Sequence, residues 1–193
     1  IQYMAFHLQS AQIDKAREIA ARALKTISYK DENERLNVWV ALLNLENMYG
    51  TESVVEETLN KATQNCDSFK VHVHMAEIYA RSGKMQEAEA MYIKMSRKFG
   101  RQQESWIKYA VFHYKSGNFE AARKLLIKSL NSLDKVEHVE MVNKFAQLEF
   151  KYGDAERAKT MYDSLLFTYP NRTDIWSVYI DMLVKYNKYD DAR

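Results

Sequence analysis

The residue types that most often do chemistry are few in this sequence, and their spacing does not suit catalysis. His72 and His74 are two residues apart in a helical pattern, so their side chains point to different faces, and Cys66 is the only cysteine. A metal site or an activated nucleophile needs several such groups that converge on one point. The sequence also has no His-Glu-x-x-His motif, no paired-cysteine spacing and no glycine-rich phosphate loop. We therefore expect no enzymatic activity, no metal and no cofactor, and we predict that His72 is a core residue.

Two glutamates lie at the edge of predicted core faces. Glu46 and Glu149 each stand four residues before a glycine that ends a helical pattern. A carboxylate so placed needs a partner, since burial penalises an unpaired charge. We expect each to pair with a nearby base such as Lys159, or with backbone N–H donors, rather than to act as a general base.

Cations that recur along successive helices indicate a different chemistry, the binding of anions. Seven residues fall on the helix face turned away from the predicted core, and together they form what we call the cationic stripe: His74, Arg81, Lys108, Lys115, Lys144, Lys151 and Lys185. Such a stripe suits a phosphate backbone or an acidic protein segment. The alternative needs no ligand, because the last turn of a helix, where Arg81, Lys115, Lys151 and Lys185 are expected, favours a cation by about 0.3–1 kcal/mol.

The equivalent face of the first two predicted repeats carries no charge. Ala5, Ala41 and Met48 lie on it and form a candidate apolar groove for a peptide or a helix. The alternative is ordinary helix surface.

A repeat of about 34 residues positions all these side chains. Four glycines and one asparagine mark successive units at spacings of 33, 34, 36 and 34 residues: Gly50, Gly83, Gly117, Gly153 and Asn187. Before each marker, apolar residues at offsets −11, −8, −7 and −5 follow one face of a helix, which we call helix A; after it, a small residue at offset +5 begins the apolar face of a second helix, helix B. An earlier unit is marked by Ala11, with Tyr3 and Phe6 in its helix A. The marker residues suit the left-handed backbone that often ends a helix.

These hairpins predict an all-α fold, a right-handed α-solenoid of five full repeats and a truncated sixth. Such a hairpin cannot bury its apolar face alone, so the repeats must stack. We expect one repeat domain over residues 1–193, with units at roughly 1–28, 36–65, 70–99, 104–133, 137–168 and 173–193, and with helix A of each unit on the concave side. Because helical patterns are cut at both ends, we expect a piece of a longer protein.

Composition agrees with this fold. One proline and five glycines in 193 residues disfavour a β-rich fold. The single cysteine suits a reducing compartment, and no apolar run is long enough to suggest a membrane span. Residues 1–96 hold 11 Lys and Arg against 13 Asp and Glu, whereas residues 97–193 hold 17 against 13, so an acidic partner is more compatible with the second half.

The repeats resemble the half-a-TPR (HAT) family more than the tetratricopeptide (TPR) family. HAT repeats place a Trp early in helix A, an aromatic residue three positions later and an Ala-Arg pair in helix B. This sequence has Trp106 with Tyr109, Trp176 with Tyr179, and Ala-Arg pairs at 16–17, 122–123 and 192–193. The segments 36–50, 145–150 and 169–179 are similar to the C-terminal HAT region of a family of large ribosomal-RNA-processing factors that carry OB-fold domains ahead of it.

That resemblance implies a non-catalytic scaffold in the nucleus and nucleolus that supports pre-rRNA processing in the small-subunit processome and related particles. The implied partners are protein subunits of pre-ribosomal particles, and pre-rRNA or snoRNA bound directly or through the rest of the parent chain. No membrane partner is implied, and self-association is open. The alternative is a generic TPR-like adaptor that captures a peptide in another complex, which salt-insensitive binding of one short peptide would favour.

Overall fold

The computed structural model describes residues 12–186, and within this range the chain is α-helical, with no strand. The described range holds ten α-helices: α1 Ile13–Thr26, α2 Glu32–Tyr49, α3 Glu52–Asn65, α4 Ser68–Arg81, α5 Met85–Lys98, α6 Gln103–Lys115, α7 Phe119–Ser132, α8 His138–Tyr152, α9 Ala155–Thr168 and α10 Thr173–Lys185. A 3-10 turn at Lys135–Glu137 precedes α8. The predicted helix A of the first repeat, with Tyr3 and Phe6, and the marker Asn187 lie outside the described residues.

The chain divides into two compact units, Ile1–Met95 and Ser96–Arg193. In the first unit, α2 packs against α1, α3 and α4, and α3 packs against α4. In the second, α6 packs against α7 and α8, α8 also packs against α7, α9 and α10, and α9 packs against α10. Each hairpin thus packs on the next within its unit, as in a helical-repeat solenoid. The predicted all-α repeat fold is confirmed, while its handedness and the single domain over 1–193 remain predictions.

The core occupies the positions that the repeat predicts. The small residue at offset +5 is fully buried in Ala88, Ala122 and Ala158, where two helices approach closely. At offset −7, a residue of helix A is fully buried in four repeats: Leu43, Ala76, Ala110 and Ala146. Ile180, the fifth member, is 41% exposed on α10, the last helix of the described range.

The Trp position early in helix A is occupied in three different ways. Trp106 is buried and its indole N–H donates to the Gly100 carbonyl at 2.8 Å, and Trp176, although 43% exposed, donates to the Pro170 carbonyl at 3.0 Å. Trp39 is buried, but its indole nitrogen has no hydrogen-bond partner among the described residues. The reason is that α2 begins at Glu32, seven residues before Trp39, so the carbonyl six residues back is inside the helix. His72 replaces Trp in the core at 3% exposure, as predicted.

The marker glycines end helix A by two different mechanisms. Gly83 and Gly117 have φ of +78° and +76°, as predicted, and the next residue's N–H bonds back across the turn, from Lys84 to Tyr79 at 3.0 Å and from Asn118 to His113 at 2.9 Å. Gly50 and Gly153 are not left-handed, since their φ values are −89° and −115°. The prediction of a left-handed backbone is therefore wrong at these two positions.

Gly50 and Gly153 must be glycine because no space is left there for a Cβ atom. A Cβ atom at Gly50 would lie 2.5 Å from Oε2 of Glu46, and one at Gly153 would collide with Oε2 of Glu149. In both repeats the carboxylate of the glutamate four residues earlier folds back over the end of its own helix. A side chain at the glycine would displace it.

Candidate functional site

Five members of the cationic stripe lie on neighbouring helices of the second unit. Lys108 and Lys115 are on α6, Lys144 and Lys151 are on α8, and Lys185 is near the end of α10. Since α6 packs against α8 and α8 against α10, the structure brings these three helices side by side. Lys115, Lys151 and Lys185 are exposed, and Lys108 and Lys144 are half-buried.

The two remaining members lie in the first unit, on α4, and share one carboxylate. His74 Nδ1 is 3.7 Å and Arg81 Nη2 is 3.8 Å from Oε2 of Glu77. Exposed ion pairs of this kind contribute little to stability. The Arg81 charge is therefore partly balanced by Glu77.

The positions of four stripe residues agree with the alternative explanation, stabilisation of a cation by the helix dipole. Arg81, Lys115, Lys151 and Lys185 each lie in the last turn of their helix. Lys151 also lies 4.9 Å above the Tyr152 ring, and its hydrogen bond with the Tyr152 hydroxyl raises the pKa of Lys151. The stripe's role in binding therefore remains a prediction.

The candidate apolar groove has two described members, because Ala5 lies outside the described residues. Ala41 is half-buried and packs against the cluster of Ala20 and Val38, within the first unit's core. Met48 is 59% exposed. Ala41 thus offers a ligand only part of its surface, while Met48 lies open at the end of α2.

Glu149 is a buried ion-pair centre, and its partner differs from the one predicted. Arg123 on α7 binds both carboxylate oxygens of Glu149 at 2.7 and 3.3 Å, and the Asp154 backbone N–H donates at 3.1 Å. Burial alone would raise the pKa of Glu149, but the hydrogen bonds from Arg123 and Asp154 outweigh it and lower that pKa. The expected pairing of Glu149 with a nearby base or with a backbone donor is therefore confirmed, although the base is Arg123 and not the suggested Lys159, which pairs with Glu156 at 3.0 Å.

The first unit repeats this arrangement. Arg17 on α1 donates to both carboxylate oxygens of the buried Glu46 at 2.8 Å. Each arginine also binds an acid three residues earlier, Asp14 in one case and Glu120 in the other. We call Arg17–Glu46 and Arg123–Glu149 the inter-repeat pairs, because each joins helix B of one repeat to helix A of the next. In each pair the glutamate is buried and both of its carboxylate oxygens accept hydrogen bonds, as expected of a structural ion pair.

The sequence analysis missed one cationic feature, a cleft of about 810 Å³ in the second unit. It is bounded by the end of α5, the turn that follows and the last part of α7, and its lining residues are Ser96, Arg97, Lys98, Phe99, Gly100, Arg101, Gln102, Trp106, Lys128, Asn131 and Ser132. The signal was present in the segment 97–101, which holds three cations in five residues. The segment falls at the boundary between the predicted units 70–99 and 104–133, and no binding role was assigned to it.

Other kinds of site find no support in the described residues. No group of three or more His, Cys, Asp or Glu side chains is placed there to hold a metal ion. Among the helices of residues 12–186, none has the length and apolar character needed to cross a membrane.

Fold and surface together define a class of protein, the tandem helical-hairpin repeat domains, which bind their partners through helix faces and clefts. No protein-family model matches the chain. The chain is 50% identical over 193 residues to Protein RRP5 homolog of Homo sapiens and 45% identical over 185 residues to the rRNA biogenesis protein rrp5 of Schizosaccharomyces pombe. These matches cover 100% and 96% of this chain, but only 10% and 11% of those proteins.

A plant relative, the rRNA biogenesis protein RRP5 of Arabidopsis thaliana, is 37% identical over 195 residues, with 100% of this chain and 10% of the relative covered. A tetratricopeptide repeat protein from Parabacteroides merdae, of known structure, has a TM-score of 0.48 and 14% identity, over 100% of this chain and 74% of that chain. The chain spans about a tenth of the length of its curated relatives. It is similar from end to end to a small C-terminal part of the RRP5 proteins, of which the human one is also known as programmed cell death protein 11, and this confirms the resemblance inferred from the sequence.

Proposed function

We propose that this chain is a non-catalytic protein-interaction module of a nucleolar ribosome-biogenesis factor. In this role it docks protein subunits of pre-ribosomal particles, including the small-subunit processome, and so supports pre-rRNA processing. The observation that carries the proposal is the 50% identity, over the full 193 residues, to a human protein of the RRP5 group, other members of which are named for rRNA biogenesis.

The architecture supports docking. Within each unit, successive A helices pack against each other, α2 on α4 in the first and α6 on α8 and α8 on α10 in the second. Their exposed residues therefore form a continuous surface inside each unit. The inter-repeat pairs fix helix B of one repeat against helix A of the next, which keeps such a surface preorganised and lowers the entropic cost of binding.

Affinity purification from nuclear extract tests the proposal. The tagged chain would be captured with and without nuclease, and co-purifying proteins and pre-rRNA would be measured by mass spectrometry and reverse transcription. We expect ribosome-biogenesis proteins to be retained after nuclease treatment, because the docking is between proteins.

The same capture is repeated with the Glu149→Ala and Glu46→Ala double variant, which removes both inter-repeat pairs but leaves the exposed surface residues unchanged. The comparison tests whether the inter-repeat pairs contribute to docking. We expect the double variant to retain fewer of the same proteins. Capture of one peptide-bearing partner from another complex, in place of ribosome-biogenesis proteins, would contradict the proposal and favour a TPR-like adaptor.

A further inference from the structure

The cleft beside the 99–102 turn concentrates positive charge. Arg97, Lys98, Arg101 and Lys128 line it and are all exposed, and no Asp or Glu is among its lining residues. Glu104, the next acid along the chain, is exposed at the start of α6 and is not part of the lining. Like charges gathered in a concave surface repel one another, so an anionic ligand relieves a cost that the free chain bears.

Helix dipoles explain only half of this cluster. Arg97 and Lys98 lie in the last turn of α5, where a cation is favoured without any ligand. Arg101 is in the turn, outside any helix, and Lys128 precedes the last turn of α7. Among the described residues, neither Arg101 nor Lys128 has a carboxylate partner.

We propose that this cleft binds the sugar-phosphate backbone of single-stranded RNA, with Arg97, Arg101 and Lys128 as the phosphate contacts. The lining residues Gln102 and Asn131 carry side-chain amides, a type that donates to phosphate and ribose oxygens. The choice of RNA rests on the proposed function, because the chain's relatives are named for rRNA biogenesis.

The shape of the floor favours a backbone ligand over an acidic peptide. Peptide docking depends on apolar anchors that enter a pocket. Here Trp106 is only 5% exposed, with its indole N–H held by Gly100, and Lys98 Nζ lies 5.2 Å above the Phe99 ring. The indole of Trp106 is therefore closed to an apolar anchor, while the four cations of the lining and the absence of acids in it complement the charge of a phosphate backbone.

Gly100 allows the turn to close over this floor. A Cβ atom at Gly100 would lie 2.6 Å from the Ser96 carbonyl oxygen and 3.8 Å from the Trp106 ring. The absence of a side chain therefore lets the backbone at Gly100 approach both the end of α5 and the indole.

The test uses the 193-residue chain and a fluorescein-labelled 20-nucleotide oligouridylate, with affinity measured by fluorescence anisotropy between 50 and 200 mM salt. The Arg97→Gln/Arg101→Gln/Lys128→Gln variant is compared with a control of equal charge change, Lys25→Gln/Lys30→Gln/Lys70→Gln, on exposed residues of the first unit. We expect the cleft variant to bind at least about tenfold more weakly at 50 mM salt. The slope of log K against log salt should fall by about 0.7 for each lost phosphate contact.

Equal losses in both variants, or no binding by the unmodified chain at 50 mM salt, would overturn the inference. Circular dichroism checks that both variants keep their helicity. Should the cleft variant fail to fold, ultraviolet crosslinking of the unmodified chain decides instead, and crosslinks that avoid both residues 96–106 and residues 128–132 would refute the inference. Loss of RNA binding with unchanged capture of biogenesis proteins would separate this inference from the proposed function.

Discussion

At the scale of single residues, the inter-repeat pairs link three sequence features that first seemed unrelated. Arg123 of the Ala-Arg pair, Glu149 and Gly153 all belong to one arrangement, and Arg17, Glu46 and Gly50 repeat it. A buried carboxylate is tolerated only when it is paired and hydrogen-bonded. The glycine leaves room for that carboxylate, so the three residues should depend on one another energetically.

The dependence of Gly153 on Glu149 can be measured in a double-mutant cycle. Gly153→Ala should destabilise the chain by about 1–3 kcal/mol, because its Cβ collides with the Glu149 carboxylate. In a Glu149→Ala background the same change should cost much less. The free energy of unfolding, from urea titration, provides each corner of the cycle.

Gly117 is the matched control for that cycle, since its φ of +76° makes alanine strained whatever its neighbours are. Gly117→Ala should therefore cost the same free energy of unfolding in the unsubstituted chain as in the Glu149→Ala background. If Glu149→Ala reduced the cost of Gly153→Ala no more than it reduced the cost of Gly117→Ala, the backbone conformation rather than the Glu149 carboxylate would be the reason for glycine at position 153.

The lowered pKa of Glu149 predicts how stability depends on pH. Burial opposes ionisation, but Arg123 and the Asp154 N–H favour the carboxylate, so the folded pKa lies below the unfolded value of about 4.3. The stabilisation is therefore fully present above about pH 4.3 and is lost as pH falls through the folded pKa. Glu149→Gln should lower the free energy of unfolding at pH 7 and make it less dependent on pH below about 4.3.

The control is Glu140→Gln, an exposed position on the same helix. Urea titrations from pH 3 to pH 7 provide the comparison. A pH profile for Glu149→Gln that parallels that of the unsubstituted chain would contradict this assignment of the stabilising charge.

At the scale of elements, periodicity predicted the buried positions of the helices but missed the features that depend on local backbone conformation, such as the start of a helix. The small residues Ala88, Ala122 and Ala158 were placed correctly because helix packing imposes their spacing. The first turn of α2 was missed, because Glu32–Arg35 lacks an apolar face long enough to show a period, and the 3-10 turn at Lys135–Glu137 was missed for the same reason.

The candidate site was less predictable than the core for a physical reason. A core position recurs in each repeat, whereas the cleft draws on a turn and on two helices of different repeats, α5 and α7. Nothing in a single period marks Lys128 as a neighbour of Arg101. The sequence predicted that Glu149 pairs with a base or a backbone donor but could not tell which base, because Lys159 and Arg123 look equally available until helix packing is known.

At the scale of the whole molecule, charge is unevenly divided between the units. Residues 1–95 contain 11 Lys and Arg with 13 Asp and Glu, and residues 96–193 contain 17 with 13. Five of the seven stripe residues and all four cations of the cleft belong to the second unit. The second unit is therefore where an anionic partner should bind, and the stripe and the cleft are two separate candidates for the contact.

Charge reversal of the stripe tests how much the stripe contributes to the binding of an anionic partner. The variant Lys108→Glu/Lys115→Glu/Lys144→Glu/Lys151→Glu should weaken binding of the oligouridylate or of an acidic protein partner at least about tenfold at low salt, because it turns four attractive charges repulsive. Helicity should be unchanged, since Lys115 and Lys151 are exposed and Lys108 and Lys144 are only half-buried. The control reverses Lys15, Lys25, Lys30 and Lys70, four exposed lysines of the first unit, and so matches the change in net charge. If affinity at low salt is unchanged in the stripe variant, these lysines do not contact the ligand and are explained by helix-end stabilisation and solvation alone. The cleft is then the remaining candidate for anion binding by the second unit.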